Sequence, residues 1–283
     1  MRILITGAQG QLGMALQPVL SSHTVLLKDL PAFDLTDLRA ESDILDVRPD
    51  VVIHAAAYTN VDGAEKEPER AAAINVQGTA AVARAAQRTG ARLVYISTDY
   101  VFNGTKSSPY DEEDAPHPIN VYGRTKYEGE LSALRNCRNT LVVRTAWLYG
   151  HHGQNFVKTI MRVAAEKPRL EVVADQRGCP THADDLAKAL HDLLRTDLTG
   201  ICHVTNSGDC TWHEFAEAIV QLMGLQTDVR PITTAQAGRL ARRPGYSVLG
   251  HRRFEAQFPP LPHWREALSR FVKPLSRLAN AAG

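Results

Sequence analysis

A threonine, a tyrosine and a lysine in this sequence have the types and spacing needed for hydride transfer to a ketone. Thr98 follows an apolar run that ends at Ser97, and Tyr122 and Lys126 are four residues apart in a segment that predicts a helix. Residues four apart lie on one face of a helix, so both side chains can reach the same substrate atom. Tyr-x-x-x-Lys alone is common by chance, and its interpretation depends on the segments around it.

Each member of this set has its own task in the predicted reaction. The phenol of Tyr122 would give a proton to the carbonyl oxygen, but its ordinary pKa of about 10 is far above neutrality. A nearby cation favours the phenolate, so we expect Lys126 and an oxidised nicotinamide to lower that pKa. We expect Lys126 also to bond the nicotinamide ribose, and Thr98 to hold the carbonyl oxygen near Tyr122.

The N-terminal segment predicts where a dinucleotide binds. Residues 2–6 predict a buried parallel strand, residues 7–13 are GAQGQLG, and a helical pattern runs from residue 14 to residue 20. Glycines allow a tight turn and close approach to a pyrophosphate, which the helix N-terminus attracts. The spacing is Gly-x-x-Gly-x-x-Gly, and its place between strand and helix favours a cofactor over a turn without a ligand. The expected contacts are Gly7, Gln9, Gly10, Gln11, Leu12 and Gly13.

The end of the second predicted strand, residues 24–27, bears on the choice of cofactor. Asp29 stands where a carboxylate accepts hydrogen bonds from the adenosine ribose, which favours NADH. An adjacent arginine would favour the 2′-phosphate of NADPH, but the next residue is Leu30. Lys28 leaves the choice open, so the prediction is NADPH or NADH.

Two further segments are expected beside the cofactor. Asp34 and Leu35 would edge the adenine, although Asp34 or Thr36 could instead cap a helix that starts at Asp37. Small side chains at the end of the third strand leave room for a flat ligand against the sheet, or for packing of the next helix. The contacts expected at that third strand are Ala55, Ala56, Ala57 and Tyr58.

Strand and helix patterns alternate through the first half of the chain, which predicts an α/β fold built on a Rossmann-type doubly wound parallel sheet. Residues 1–150 would form the dinucleotide-binding domain. The pattern loosens afterwards, so residues 151–283 predict mainly a smaller mixed α/β substrate domain, with some segments returning to the sheet. Asn75, inside a helical segment at residues 68–88, is expected to bond backbone groups inside the fold.

Composition excludes several classes of function. A net charge of +1 gives no bulk attraction to nucleic acid or an anionic membrane. No apolar run reaches the roughly 18 residues of a membrane span, and the chain enters a strand at once, so a cytoplasmic protein is expected. The four cysteines form no Cys-x-x-Cys pair and predict free thiols. His151 and His152 are adjacent with no carboxylate close in sequence, so no metal site is predicted.

Several motifs together resemble one family of the extended short-chain dehydrogenase/reductases. Residues 54–59 (HAAAYT), 97–102 (STDYVF), 120–123 (NVYG) and 144–147 (RTAW) are similar to the dTDP-4-dehydrorhamnose reductase family, and the similarity covers nearly the whole chain. It implies reduction of the 4-keto group of dTDP-4-dehydro-L-rhamnose to dTDP-L-rhamnose with NAD(P)H. The implied catalytic triad is Thr98, Tyr122 and Lys126.

The resemblance also implies which residues face the dTDP-sugar. Tyr100 and Trp147 would line the sugar pocket, and Asn155 and a basic tail with Arg243 would face the diphosphate. Trp147 could instead belong to the core, and Arg243 could be a solvated arginine. The full set of expected substrate contacts is Thr98, Asp99, Tyr100, Tyr122, Trp147, Asn155 and Arg243.

The sequence departs from the family at a metal site. Some members join two subunits through magnesium held by a glutamate two residues after the last glycine of the phosphate turn. Here that residue is Ala15, and Asp184 alone would not make the site. Magnesium is therefore doubtful, and a monomer or a metal-independent homodimer is expected.

Three other functions remain open. A nucleotide-sugar dehydratase or epimerase shares the fold, but dehydratases place Asp-Glu after the catalytic threonine, whereas Asp99 is followed by Tyr100. A reductase of a related, streptose-type dTDP-4-keto-6-deoxy sugar differs only in pocket shape. A non-catalytic, NAD(P)-binding regulatory subunit could retain the fold without turnover.

Overall fold

The computed structural model describes the backbone of residues 1–281 and the side chains up to residue 273. The strands are β1 (Arg2–Thr6), β2 (Thr24–Lys28), β3 (Val51–His54), β4 (Arg92–Thr98), β5 (Thr140–Thr145), β6 (Leu148–Tyr149), β7 (Arg169–Val173), β8 (Arg177–Gly178), β9 (Thr181–His182), β10 (Gly200–His203), β11 (Cys210–Thr211) and β12 (Asp228–Ile232). Residues 282 and 283, the end of the predicted second domain, lie outside the described residues.

Helices flank the strands through most of the chain. They are α1 (Gln11–Val19), α2 (Ala40–Val47), α3 (Val61–Lys66), α4 (Pro68–Ala72), α5 (Thr79–Thr89), α6 (Val121–Asn136), α7 (Phe156–Glu166), α8 (Ala183–Leu193), α9 (Trp212–Met223), α10 (Thr234–Ala237), α11 (Arg252–Glu255) and α12 (Trp264–Ala281). A π-helical stretch, Ala73–Gly78, joins α4 to α5, and a 3₁₀ turn, Asp99–Val101, follows β4. Among the residues described, no helix is long and apolar enough to cross a bilayer.

Six parallel strands form one sheet in the order β10-β5-β4-β3-β1-β2. Successive residues of β1 point to opposite faces, so Ile3 and Ile5 join a core with α1 and α8, while Leu4 joins a second core with α2 and α5. Burial on both faces explains the continuous aliphatic runs of these strands. The prediction of a Rossmann-type doubly wound sheet is confirmed.

The strand order reverses at β1, which has β2 on one side and β3 on the other. Ligands of doubly wound sheets bind at such a point, beyond the carboxyl ends of the strands. The glycine-rich turn after β1 and the three alanines after β3 therefore face the same crevice.

The chain after β5 builds a second set of elements and also returns to the sheet. Helices α7, α9 and α12 enclose a separate aromatic core around Phe215, Trp264 and Phe271. Strand β10 pairs with β5, and α8 packs against α1. The segment of residues 175–181 contains the short strand β8 and the start of β9.

One alternative from the sequence is wrong. The helix expected from Asp37 starts at Ala40, and its N-cap residue, Arg39, makes no side-chain cap. Asp34 instead accepts hydrogen bonds from the backbone N–H and the hydroxyl of Thr36, both at 2.8 Å. The carboxylate closes a local turn, a competing use of short polar side chains.

Asn75 bonds backbone groups inside the fold, as expected. In the π-helical stretch, its Oδ1 accepts the backbone N–H of Tyr58 at 2.8 Å, and its Nδ2 donates to Thr125 Oγ1 at 3.0 Å. Because Thr125 belongs to α6, this amide connects the loop after β3 to the helix that carries Tyr122 and Lys126.

Candidate active site

A cavity of about 790 Å³ opens beyond the carboxyl ends of β1, β3 and β4. Its volume is in the range of ligand sites in proteins. Thr98, Tyr122 and Lys126 all line it. The other lining residues that the sequence predicted are Gly7, Gln9, Gly10, Gln11, Leu12, Gly13, Asp29, Asp34, Leu35, Ala55, Ala56, Ala57, Trp147 and Asn155.

The turn after β1 can exist only with glycine at two positions. Gly7 has φ of +72°, and a Cβ there would lie 2.6 Å from the backbone nitrogen of Ala56. A Cβ on Gly13 would lie 2.2 Å from the carbonyl oxygen of Gly7. Gly10, the N-cap residue of α1, has no side chain that could bond the free N–H groups of the first helical turn. These N–H groups are therefore open to the cavity. This cradle fits an anionic pyrophosphate.

Asp29 lines the cavity beside the glycine-rich turn. Its Oδ2 accepts the backbone N–H of Gln9 at 2.7 Å, and its Oδ1 accepts that of Leu30 at 2.8 Å. These bonds hold the carboxylate where a ribose diol can reach it. The ammonium of Lys28 lies 5.6 Å from the ring centroid of Phe33, in a cation–π contact.

Helix α6 brings Tyr122 close to Thr98. Asn120 caps the helix by accepting the backbone N–H of Gly123 at 2.7 Å. A Cβ on Gly123 would lie 2.1 Å from the carbonyl oxygen of Tyr100, so only glycine lets α6 pack this closely on the turn after Thr98.

Lys126 lies one helical turn further on and is buried. Its ammonium donates to the carbonyl oxygen of Ile96 at 2.8 Å and lies 4.1 Å from the ring centroid of Tyr95. Burial lowers the pKa of Lys126 to about 7, while the Glu130 carboxylate opposes the shift. This side chain can therefore gain or lose a proton near neutral pH.

The lowering of the Tyr122 pKa that the sequence predicted is not found in the protein alone. Burial raises the pKa of Tyr122 to about 12; a hydrogen bond with Thr98 opposes this rise, and the Asp99 carboxylate adds to it. Withdrawal from water disfavours the phenolate more strongly than the surrounding groups favour it. In the protein alone, Tyr122 therefore keeps its proton at neutral pH.

Asp99 lies behind Thr98 and does not line the cavity. Its Oδ1 accepts the hydroxyl of Thr98 at 3.0 Å, and its Oδ2 accepts the hydroxyl of Ser247 at 2.5 Å. Burial raises the pKa of Asp99 to about 6. The carboxylate orients Thr98, and Ser247 is a participant that no sequence signal indicated, because it lies 148 residues away along the chain.

Trp147 and Asn155 line the cavity as well. Trp147 stacks on Trp212 with ring centroids 3.5 Å apart, so it belongs both to the cavity wall and to an aromatic core. Asn155 caps α7, and its Nδ2 donates to the carbonyl oxygen of Gly150 at 2.9 Å and to Gln11 Oε1 at 3.0 Å. That second bond joins the loop before α7 to the glycine-rich turn.

Besides Asp99, three further expected contacts do not line the cavity. The hydroxyl of Tyr58 donates to Glu67 Oε2 at 2.7 Å. The ring of Tyr100 lies 5.8 Å from that of Tyr122, centroid to centroid. Arg243 forms an ion pair with Asp62 at 3.0 Å and exposes 16% of its side chain, so the alternative of a solvated arginine is wrong.

Comparisons with known proteins agree with this geometry. The family described as "RmlD substrate binding domain" matches residues 1–277. A dTDP-4-dehydrorhamnose reductase of Sinorhizobium fredii is 41% identical over 96% of this chain and 97% of its own. The spore coat polysaccharide biosynthesis protein SpsK of Bacillus subtilis is 41% identical over the same shares of the two chains. The chain belongs to the dTDP-4-dehydrorhamnose reductase family.

Solved structures give the same answer. The crystal structure of a Bacillus anthracis dTDP-4-dehydrorhamnose reductase in complex with NADP has a TM-score of 0.93 and 43% identity, covering 95% of this chain and 98% of that one. A UDP-glucose 4-epimerase of Thermus thermophilus has a TM-score of 0.83 at 23% identity, covering 98% and 99% of the two chains, which shows a shared fold alone.

Several lining residues were missed from the sequence. Thr145 ends β5 and Ala146 follows it, so the expectation that ligands bind at the carboxyl ends of parallel strands would have found both. Ile96 and Ser97 lie in β4 itself, just before Thr98, and Leu148 lies in β6. The others come from loops or from the π-helical stretch, whose approach only the folded chain shows. The missed residues are Leu30, Phe33, Thr59, Ile74, Ile96, Ser97, Thr145, Ala146, Leu148, Gly153 and Gln154.

The magnesium site of some family members does not fit this chain. Ala15 lies in α1 with 6% of its surface exposed and packs in the core between α1 and α8. It offers no oxygen to an ion, and magnesium requires oxygen ligands. No step of the reaction is therefore assigned to magnesium.

Proposed function

We propose that this protein reduces the 4-keto group of dTDP-4-dehydro-L-rhamnose to dTDP-L-rhamnose, with NADPH or NADH as the reductant. The observation that carries the proposal is that Thr98, Tyr122 and Lys126 line one cavity with a glycine-rich turn and Asp29. Membership of the reductase family supports the substrate class. The expected partner is thus a dTDP-linked 4-keto-6-deoxy sugar.

The cofactor would lie along the first half of the cavity. The turn of residues 7–13 would hold its pyrophosphate, Asp29 the adenosine ribose, and Asp34 and Leu35 the adenine edge. Residues 55–57 would pack against its flat face. When bound, the reduced nicotinamide supplies the hydride. The ammonium of Lys126, which donates to the carbonyl oxygen of Ile96 in the protein alone, would hold the nicotinamide ribose.

The proton comes from Tyr122 in this scheme. A carbonyl oxygen that gains negative charge as hydride arrives is a stronger base than the ketone, so it can take the phenolic proton. Lys126 has a pKa of about 7 and, when charged, favours the phenolate that Tyr122 becomes. Its burial strengthens this effect, because nearby charges interact more strongly away from water.

Thr98 has one hydroxyl hydrogen, and both Asp99 and the Tyr122 oxygen are within reach of it, so it can go to only one of them at a time. In the protein alone, that hydrogen goes to Asp99 Oδ1 at 3.0 Å, while the backbone N–H of Tyr100 donates to Thr98 Oγ1 at 3.1 Å. To bond a substrate carbonyl, the hydroxyl must turn from Asp99 into the cavity. Asp99 therefore sets how readily Thr98 donates to the substrate.

The sugar nucleotide would occupy the second half of the cavity. Trp147 and Asn155 are the proposed direct contacts. Tyr100 and Arg243 border the same region from outside the lining, and we retain them as proposed substrate-side residues. Tyr58 likewise remains a proposed cofactor neighbour through its place after the three alanines.

The assignment is tested by NAD(P)H oxidation with dTDP-4-dehydro-L-rhamnose, followed by loss of nicotinamide absorbance. We expect rapid oxidation that EDTA does not change. Oxidation only with a different dTDP-4-keto-6-deoxy sugar would contradict the substrate and favour the related reductase. Binding of NAD(P)H without oxidation of any such sugar would contradict the enzyme and favour a regulatory subunit.

Oligomeric state and location complete the proposal. Because Ala15 provides no metal ligand, a monomer or a metal-independent homodimer is proposed. All four cysteines are free, which suits the reducing cytoplasm.

A further inference from the structure

Two histidines and an aspartate that are separated in sequence meet in a place outside the cavity. His151 follows β6, His182 ends β9, and Asp184 lies in the first turn of α8. One ligand atom from each lies within 4.8 Å of the other two. The adjacent His151 and His152 gave no metal prediction from the sequence, because the remaining ligands come from 31 and 33 residues further along the chain.

His182 supplies the second, independent observation. Its side chain is buried, yet neither of its ring nitrogens has a hydrogen-bond partner among the described residues. Buried polar atoms in proteins nearly always have a partner, and an exception calls for an explanation such as a bound ion. His182 Nε2 lies 3.9 Å from Asp184 Oδ2. Two ligands of one tetrahedral zinc lie roughly 3.4 Å apart, so a small adjustment would close the set.

We propose that His151, His182 and Asp184 bind one divalent transition-metal ion of the zinc type. Imidazole nitrogens suit zinc, nickel and copper, whereas magnesium requires oxygen ligands. Three protein ligands with a water in the fourth position are an ordinary zinc arrangement. The site lies within one chain, so it differs in ligand chemistry and in topology from a magnesium bridge between subunits.

Phe271 and Lys158 hold the proposed ligands in place. The ring of Phe271, from α12, lies 4.7 Å from that of His151 and 5.6 Å from that of His182, centroid to centroid. This apolar ring shields the buried His182, whereas His151 is exposed and leaves the set open to an ion from solvent. The backbone carbonyl of His151 also accepts the ammonium of Lys158 at 2.7 Å, which holds the loop in place.

The ion would fasten a loop that borders the proposed active site. Residues 153–155 line the cavity, and His151 lies two residues before them. A metal bond from His151 to the start of α8 would restrict the movement of this loop. The ion's role is structural, and the proposal does not depend on the reaction assigned to the cavity.

The test uses the full chain, produced without a histidine tag and stripped of metal. Equilibrium dialysis against Zn²⁺ measures stoichiometry and affinity, and Co²⁺ reports ligand geometry through its visible absorption. We expect about one Zn²⁺ per chain, a rise in the midpoint of thermal unfolding with Zn²⁺, and no displacement by a hundredfold excess of Mg²⁺.

The neighbouring histidine provides a matched control. His151→Ala should weaken Zn²⁺ binding at least tenfold and abolish the thermal shift, whereas His152→Ala should behave like the wild type. Asp184→Asn is a second test, because Asp184 is partly exposed and its amide keeps the size of the side chain. Equal binding by the His151 and His152 variants, no binding by the wild type, or displacement by Mg²⁺ would each overturn the proposal.

Discussion

The two halves of the cavity are built in different ways. The proposed cofactor half is built from the ends of neighbouring strands and the turns after them, which hold Gly7, Gly13 and Asp29. The proposed substrate half is assembled from β5, the loop before α7 and the aromatic core, where Trp147 stacks on a tryptophan 65 residues later. The first half therefore follows from strand and turn patterns that are local in sequence, and the second depends on packing between distant segments.

The largest expected effect breaks the local half. Gly13→Ala places a Cβ 2.2 Å from the backbone oxygen of Gly7, which cannot give way as a side chain can. We expect loss of nearly all NAD(P)H binding and a lower midpoint of thermal unfolding, measured by fluorescence titration and calorimetry. Gly10→Ala is the control, because its Cβ would lie 3.2 Å from the same oxygen. It needs a shift of only a few tenths of an ångström, so it should lower the midpoint much less than Gly13→Ala, and equal destabilisation of the two variants would contradict the account.

A second prediction concerns Asp99, which lies behind Thr98. Asp99→Asn keeps the shape but removes the charge that attracts the Thr98 hydroxyl. A neutral amide competes less strongly for this hydroxyl hydrogen, so Thr98 turns more readily towards the substrate carbonyl. We expect kcat to rise about fivefold with little change in cofactor affinity, since the charge strengthens such a hydrogen bond by about 1 kcal/mol. Steady-state kinetics and cofactor titration measure both quantities, and an unchanged kcat would contradict the role.

The same variant has a signature in stability. Burial raises the pKa of Asp99 from 3.8 to about 6, so the folded protein holds this proton more tightly than the unfolded chain. The resulting stabilisation is complete below about pH 4 and is lost as pH rises through about 6, by up to about 3 kcal/mol. Asp99→Asn should remove this decline in the free energy of unfolding between pH 4 and pH 6. Denaturant unfolding at several pH values measures it, and an unchanged slope would contradict the raised pKa.

A smaller effect is expected in the packed half. Trp147→Phe keeps an aromatic ring but reduces the stacking area on Trp212. We expect KM for the dTDP-sugar to rise several-fold while KM for NAD(P)H stays the same, since a lost pocket contact costs on the order of 1 kcal/mol or more. A rise in the KM for NAD(P)H alone would contradict the assignment of Trp147 to the sugar nucleotide.

The smallest effect is expected at the ion pair outside the lining. Asp62→Asn weakens the ion pair with Arg243. Asp62 exposes 30% of its side chain, and Arg243 exposes 16%. Because such partly exposed pairs contribute about 1 kcal/mol or less, we expect a small loss in the free energy of unfolding. Denaturant unfolding measures it, and a loss of several kcal/mol would mean that this pair holds the two halves together.

The same contrast explains what the sequence could predict. The glycine-rich turn, Asp29 and the strand ends were found because each follows directly after an aliphatic strand that the sequence pattern predicts. The alternative that Asp34 or Thr36 caps a helix was wrong, since the Asp34 carboxylate bonds Thr36 and α2 starts only at Ala40. Ser247 could not be found, because its contact with Asp99 depends on how the last third of the chain folds back over β4.

The most direct test of the central claim compares Tyr122→Phe with the wild type in a single turnover. Cofactor oxidation by dTDP-4-dehydro-L-rhamnose is followed after the binding of NAD(P)H has been measured separately. Removal of the phenol takes away the proton donor and leaves the ring, so we predict a loss of at least about 100-fold in rate with unchanged cofactor affinity. A variant that reduces the sugar at nearly the wild-type rate would contradict the assignment of Tyr122 as the proton donor.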